Sequence, residues 1–382
     1  MATDPTPSPP ADPSSASGAD ERSLRDDPEA LAAQLEADLV DVVDAPPKKK
    51  RWWVLPLRIA ISAAMLWYLI RRLADVSLSD LVPEWSAETA IWLGVALVLT
   101  ALSVVLSAAR WRQVLVGMAV PNRFRSLVSS YFAGQFVSNV LPTTIGGDVL
   151  RISRLARETG DSADSFASVT IERLTGWLVL PLLTFTGFAL NPHLVEVDDG
   201  TGLALLIAVG TLVILAGILV VADHPRLGGR FAHRQGWRRF LGAVHLGVAK
   251  LRRRPRSALA VVVAGVVYQF TLVLAATAGA RVMGIDEIGV TVLLAFLPAV
   301  LIIQLLPIGI SGLGPREWAL TFFLGPLGVS DADAIALGLL LFALNLVVSL
   351  LGAPALLAGP PAPLAAAERG SVAGATDPSR TS

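Results

Sequence analysis

Two proline- and glycine-containing segments carry the side chains best suited to binding chemistry in this chain. Residues 138–147 and 303–312 each present a side-chain amide, then Leu-Pro, then an isoleucine with small residues after it. Proline ends a helix, and glycine permits tight turns and close backbone approach. The amide groups freed at the next helix N-terminus favour an anion such as phosphate, and Arg151 adds a full positive charge. The alternative is a pair of ordinary Pro-Gly surface loops.

Two adjacent charges, Glu172 and Arg173, interrupt the apolar run 165–190. They lie about 12 Å into that run and point about 100° apart if it is helical, so pairing with each other cannot hide both. A charge at the centre of a spanning helix costs roughly 2.5–3.5 kcal/mol. Each is therefore expected to have a partner elsewhere, the alternative being snorkelling toward the interface. The candidate partners are Asp148, Arg151, Arg316 and Glu317.

The elements that must position these residues are membrane-spanning helices. Of 382 residues, 53% are hydrophobic and 16% are charged, whereas an ordinary soluble domain has about 25% charged residues. The mean hydropathy is +0.62. The 31 basic and 31 acidic residues cancel, which argues against nucleic acid as a partner. The absence of cysteine excludes disulfides, thiol nucleophiles and thiolate metal sites.

Eight hydrophobic segments predict an all-α polytopic membrane protein. Six are long enough for a bilayer core, which needs about 20 apolar residues. Two, at about 126–141 and 290–306, are shorter and end at the proline breaks. Six full spans with two broken or re-entrant segments, or eight full spans, both fit this pattern. The long segments are 53–70, 90–109, 165–190, 202–222, 257–281 and 334–357.

Basic residues orient the chain. They gather at 48–51, 110–125 and 151–157 and in the loop 223–256, whereas other loops are acidic. By the positive-inside rule, this pattern puts both termini in the cytoplasm of a multi-pass cell-membrane protein. The two short segments then enter from opposite sides, which together with their similar sequences predicts an inverted repeat around a midplane site. The basic loop is expected to contact anionic lipids.

Both ends of the chain are predicted to be disordered. Residues 1–51 form an acidic, Pro- and Ser-rich tail that finishes in the basic run 48–51, interpreted as a juxtamembrane anchor. Residues 359–382 are again rich in Pro, Ala and Ser. The transmembrane domain is therefore predicted to cover residues 52–358.

Three motifs, in order along the chain, carry a resemblance to a known family. They are Asn139-x-x-Pro142-x-x-x-Gly146-Gly147-Asp148-x-x-Arg151, Ser168-Val169-x-x-Glu172-Arg173-x-x-Gly176 and Pro307-x-x-x-Ser311-Gly312-x-Gly314-x-Arg316-Glu317. The sequence resembles the flippase-like family named after the transmembrane region of lysylphosphatidylglycerol synthase, over about residues 53–358. The resemblance implies a transporter of a phospholipid or polyprenyl-linked glycolipid, with a headgroup-sized cavity between two broken-helix repeats. Full synthases carry a soluble transferase domain after the membrane part, so this chain is not expected to make lysyl-lipid by itself.

The leading hypothesis is a lipid translocase without its own ATP site. Three arginines would hold a phosphate-bearing headgroup, and three acidic residues would balance them or carry a proton. No catalytic residue, metal or cofactor is predicted, because nucleotide- and zinc-binding motifs are missing. Gln269 and Asn345 are interpreted as helix–helix contacts. The alternatives are a membrane-embedded glycosyltransferase or lipid-modifying enzyme, and an accessory subunit of a separate lipid synthase. The candidate substrate-binding residues are Arg151, Arg173, Arg316, Asp148, Glu172, Glu317, Asn139, Pro142, Gly146, Gly147, Gln304, Pro307, Ser311, Gly312 and Gly314.

Overall fold

Helices are the only regular secondary structure in the part of the chain that the computed structural model describes, residues 83, 85–140, 146–196, 198–223, 237–305 and 312–358. Short 3₁₀ turns lie at Pro192–Glu196 and Gly325–Leu327. The α-helices are α1 (Ala87–Gly117), α2 (Phe124–Val140), α3 (Gly146–Thr159), α4 (Ser162–Leu190), α5 (Asp198–Asp223), α6 (Trp237–Arg252), α7 (Pro255–Val282), α8 (Val290–Gln304), α9 (Pro315–Leu324), α10 (Asp331–Leu350) and α11 (Gly352–Leu357).

Several sequence predictions fall outside the described residues. These are the two terminal tails, the basic anchor at 48–51, the first predicted span at 53–70, residues 224–236 of the basic loop 223–256, and the break residues Pro142, Pro307 and Ser311.

Five stretches of the described chain are long and apolar enough to cross a bilayer, and each overlaps one of the predicted spans. They are α1, α4, residues Gly200–Ala222 of α5, α7, and α10 together with α11. By contrast, α2 has 17 residues and α8 has 15. At 1.5 Å per residue these two reach only about 25 Å and 22 Å, less than the roughly 30 Å of a bilayer core. The all-α polytopic membrane fold predicted from the sequence is confirmed.

Capping side chains fix where several of these helices begin. The Ser86 Oγ accepts the Thr89 backbone N–H at 3.1 Å at the start of α1. The Asp161 carboxylate accepts the Asp164 N–H at 2.8 Å at the start of α4. Each bond satisfies one of the amide groups that a helix N-terminus leaves unpaired. The ends of the spans are thus set by local polar residues, and their middles by apolar ones.

The two largest hydrophobic clusters of the described residues lie one on each side of the candidate site. The first joins α1, α2, α3, α4, α6 and α7, and Tyr131 packs against it. The second is built mainly from α4, α7, α8, α9 and α10, and Leu301 packs against it. Gly187 of α4 lies so close to the Ala295 backbone of α8 that no Cβ would fit there. Because Tyr131 and Leu301 also line the central cavity described below, that cavity lies between the two clusters.

Candidate functional site

A fully buried carboxylate, Glu172 on α4, is the centre of the most highly charged cluster in the described structure. One of its oxygens pairs with the Arg110 Nη2 on α1 and accepts the Tyr131 hydroxyl of α2 at 3.0 Å. Its other oxygen accepts the Arg151 Nη2 of α3 at 3.0 Å. The carboxylate therefore ties four helices together, and both of its oxygens are satisfied.

A second carboxylate, Asp148, extends this cluster toward the surface. It accepts the Arg151 Nη1 at 3.3 Å. The Arg173 Nε and Nη2 also donate to it, each at 2.9 Å. Arg110 and Arg151 are buried, whereas the Arg173 side chain is 42% exposed. The cluster contains three guanidinium groups and two carboxylates, so it carries one net positive charge.

Aromatic rings hold the two buried guanidinium groups in place. The Arg151 group lies 3.9 Å from the Tyr131 ring centroid and 4.4 Å from that of Trp111. The Arg110 group lies 4.8 Å from the Tyr268 ring centroid. A cation over an aromatic face is attracted to it, more strongly where water is excluded. These contacts fix the arginine positions without consuming their N–H donors.

The predicted glycine pair at the start of α3 explains how Arg151 reaches Glu172. Gly146 is the first residue of α3. Gly147 lies directly against the Gly134 carbonyl and the Ser138 hydroxyl of α2, where a Cβ would not fit. A Cβ on Gly134 would in turn lie 3.2 Å from the Arg151 Cγ. The small residues therefore let α2 and α3 approach closely enough to place Arg151 in the interior.

A cavity of about 260 Å³ lies beside this cluster, among α1, α2, α4, α7, α8 and α10. Two cations, Arg110 and Arg173, line it, and no described residue of its wall is a carboxylate. Its remaining polar side chains are those of Ser103, Ser107, Tyr131, Gln135, Tyr268, Gln269, Gln304 and Asn345. The wall is thus cationic at Arg110 and Arg173. Elsewhere it is neutral and rich in amide and hydroxyl groups.

Three fully buried polar atoms on the cavity-lining residues lack a hydrogen-bond partner within the described structure. They are the Arg110 Nε and Nη1 and the Gln269 Oε1, all buried. Buried donors and acceptors are nearly always satisfied, and leaving one unpaired costs about 1–3 kcal/mol. The two donors and the acceptor belong to side chains that line the polar cavity.

Five of the predicted site residues lie on the cavity wall or in the layer behind it. Arg173 and Gln304 line the cavity. Asp148, Arg151 and Glu172 do not; they lie behind Tyr131 and Arg110 and hold those two side chains and Arg173. Of the candidate partners, Arg151 pairs with Glu172 and Asp148 pairs with Arg173.

The second predicted motif is organised differently. The Arg316 Nη2 donates to its neighbour Glu317 at 2.7 Å, and the other Glu317 oxygen accepts the Gly314 N–H at 2.6 Å. Arg316 and Glu317, the other two candidate partners, therefore do not pair with the charges of α4. The physical reason is local: Glu317 occupies the third position of α9 and reaches back to cap that helix, and Arg316 folds onto it.

The remaining described candidates, Gly312, Gly314 and Asn139, lie in a turn or at a contact between helices. Gly312 and Gly314 adopt φ values of 79° and 92°, a backbone conformation that side chains with a Cβ rarely adopt. A Cβ on Gly312 would lie 3.2 Å from the Gln304 Cβ, so this turn lies against the cavity wall. The Asn139 side-chain amide donates to the Asn345 carbonyl of α10 at 3.5 Å.

Arg110 is not among the site residues predicted from the sequence, yet of the described buried cations it has the most unengaged donors. It is the first residue of the basic stretch 110–125, whose charges the positive-inside rule interprets as a topology signal. The signal that identifies it is the spacing Ser103-x-x-x-Ser107-x-x-Arg110, which puts three polar side chains on one face of an apolar helix. Asn345 does make the predicted interhelical contact, since it accepts the Gln135 amide at 3.3 Å, but it also lines the cavity.

One family model matches most of the chain. No curated protein matches the chain significantly. The family model of the lysylphosphatidylglycerol synthase transmembrane region matches residues 56–352, which include every described helix up to the beginning of α11. The resemblance seen in the three sequence motifs is thereby confirmed, and the chain belongs to the lysylphosphatidylglycerol synthase transmembrane-region family.

Proposed function

We propose that this membrane protein moves a phosphate-bearing lipid, a phospholipid or a polyprenyl-linked glycolipid, across the bilayer by passing its headgroup through the central cavity. The observation that carries the proposal is the state of Arg110. This buried arginine lines a cavity between membrane-spanning helices and keeps two N–H donors unengaged within the described structure.

The charge of the cluster favours an anion. Three guanidinium groups face two carboxylates, so one positive charge is not neutralised by the cluster itself. Two of the three guanidinium groups, those of Arg110 and Arg151, are buried, where an uncompensated charge is costlier than in water. A phosphate at Arg110 and Arg173 would offset that cost, because charge-assisted hydrogen bonds to guanidinium groups are about twice as strong as neutral ones.

The neutral part of the wall suits the rest of a headgroup. Gln135, Gln269, Gln304 and Asn345 offer amide donors and acceptors, which can bond the hydroxyl groups of glycerol or a sugar. The cavity holds about 260 Å³, slightly below the roughly 300–1,000 Å³ typical of sites for drug-sized ligands. It is therefore sized for a headgroup and not for a whole lipid.

Reconstituted vesicles test the proposal. Phosphatidylglycerol with a fluorophore on one acyl chain is quenched from outside by an impermeant reductant, so inner-leaflet lipid is protected unless it is moved. Wild-type protein should abolish the protected fraction, whereas Arg110→Gln should slow this loss and Arg112→Gln, an exposed arginine on the same helix, should not. Equal protection in wild-type and protein-free vesicles would contradict the proposed function.

We also propose that the chain performs this movement without a chemical step of its own. The two carboxylates of the cluster are both engaged by arginines, which supports roles in holding cations and not in acid–base catalysis. Turnover of a nucleotide sugar by the purified protein would instead favour the glycosyltransferase alternative.

The proposed location is the cell membrane, with both termini in the cytoplasm. Exposed basic residues after α6, including Arg253 and Arg254, support contact with anionic lipids at that face. Because the chain has no cysteine, single-cysteine variants report sidedness cleanly. An impermeant maleimide should label Glu287→Cys in intact cells and Arg253→Cys only after permeabilisation, and the reverse pattern would invert the proposed topology.

A further inference from the structure

A second, apolar cavity adjoins the polar one. It holds about 210 Å³ between α4, α5 and α8, and its wall is made by Trp177, Thr211, Ile214, Leu215, Ile302 and Leu305. Thr211 is the one hydroxyl in this wall, and it donates to the Ile207 carbonyl of its own helix at 2.7 Å. The surface that the second cavity offers is therefore hydrocarbon.

The two cavities share part of their walls. Trp177 of α4 and Leu305, which follows α8, line both the polar and the apolar cavity. Only these two side chains of the described residues are common to both. A ligand that extended past Trp177 and Leu305 would thus have a polar end among the arginines and amides and an apolar end among Ile214, Leu215 and Ile302.

The apolar cavity borders the lipid-facing surface of the helix bundle. Ile214 is 62% exposed and Leu305 is 38% exposed. Their exposed hydrocarbon belongs in the acyl region of the bilayer, because α5 and α8 are among the most apolar helices of the chain. The cavity can therefore be reached from within the membrane.

We propose that the apolar cavity is a groove for an acyl chain of the lipid whose headgroup occupies the polar cavity, an inference that rests on the proposed function. The polar cavity is large enough for a headgroup alone, so the attached chains must leave it. The shared wall at Trp177 and Leu305 is where headgroup and chain would part, and the groove between α4, α5 and α8 leads the chain back to the membrane.

The backbone of α4 gives this boundary an unusual local feature. Pro181 lies inside α4 and has no N–H group, so the Trp177 carbonyl four residues earlier has no intrahelical donor. The turn that carries Trp177 thus lacks one of the hydrogen bonds that hold it rigid.

A pair of matched variants on α5 tests the groove. Ile214→Trp fills it from its exposed rim, whereas Val213→Trp adds the same side chain to the adjacent residue, which is 64% exposed and does not line the groove. Transport of fluorescent phosphatidylglycerol should slow by roughly tenfold or more in Ile214→Trp, as expected for loss of about two buried methylene groups, and should remain at the wild-type rate in Val213→Trp.

A second measurement distinguishes a defect in the acyl-chain groove from a defect in headgroup binding at the polar cavity. Binding of water-soluble glycerophosphoglycerol, followed by calorimetry on detergent-purified protein, should be the same in wild type and in Ile214→Trp. Equal transport by the two tryptophan variants would overturn the groove proposal, as would loss of headgroup binding in Ile214→Trp. Failure of the wild type to transport at all would instead remove the proposed function. Ile214→Phe repeats the test with a smaller side chain if Ile214→Trp is not obtained in monodisperse form.

Discussion

Replacing Glu172 by glutamine tests whether the buried cluster is organised around one carboxylate. Glutamine keeps the shape of the side chain but removes its charge, so Arg110 and Arg151 lose the anion that they share. These two arginines are 5% and 3% exposed, and Asp148, which contacts Arg151 and Arg173, would be the one carboxylate left in a cluster of three guanidinium groups. Removing one partner of a buried ion pair costs about 3–5 kcal/mol, since the other charge remains buried. We expect the free energy of unfolding to fall by about that amount.

Titration with dodecyl sulfate in mixed micelles, followed by circular dichroism, measures this loss. The control is Glu287→Gln, an exposed carboxylate between α7 and α8, for which the change should stay within about 0.5 kcal/mol. A loss below about 1 kcal/mol for Glu172→Gln would refute the reasoning, because it would mean that the arginines are already balanced by other groups or by water.

Three further predictions concern the cavity and its surroundings. In Gly176→Ala the new Cβ would lie 2.7 Å from the Arg110 Nη1 and displace that side chain from the cavity wall. Vesicle transport should fall by about tenfold, whereas Gly217→Ala, which meets open space, should leave transport intact and gain about 0.5–1 kcal/mol of stability. Phosphatidylglycerol esterified with a cationic amino acid should be moved more slowly than phosphatidylglycerol itself, because the described cavity wall has two cations and no carboxylate; equal rates in the same assay would contradict this. Asp164→Asn breaks the partly exposed 2.6 Å ion pair with Lys250 that joins α4 to α6. It should lower the free energy of unfolding by about 1 kcal/mol or less without changing transport. A transport defect would show that this pair acts on the cavity.

The helices were largely predictable because a bilayer constrains sequence strongly. Five of the predicted spans coincide with five long apolar helices. The predicted bounds differ from the observed helix ends where a helix continues through polar residues beyond its apolar run. The predicted span 90–109 stops before Arg110, but α1 continues to Gly117, since Trp111, Val114 and Leu115 are buried against other helices. Hydropathy marks the membrane-facing part of a helix, and tertiary packing sets its length.

The site was less predictable because its contacts join residues far apart in the chain. Glu172 was recognised as a charge in need of a partner, but the pairing with Arg110 depends on how α1 packs against α4. At Arg316 and Glu317 the sequence left open a long-range pairing that the structure does not contain. There a local cap satisfied both charges, and no long-range partner was needed. Sequence spacing reveals which side chains share a helix face; it does not reveal which of two satisfactory partners a buried charge takes.

The two similar segments of the chain contribute unequally to the cavity. Every charged residue of the described cavity wall, and of the cluster behind it, comes from α1, α3 or α4. The later helices α7, α8 and α10 supply neutral side chains, among them Gln269, Gln304 and Asn345. An inverted repeat with charges after both breaks would lead one to expect cations at both ends of the cavity. Because Arg316 is neutralised by its neighbour, the second segment presents no free charge to this space, and the cavity is electrically one-sided. A phosphate would then be held by the first half of the chain, while the second half selects the neutral part of the headgroup.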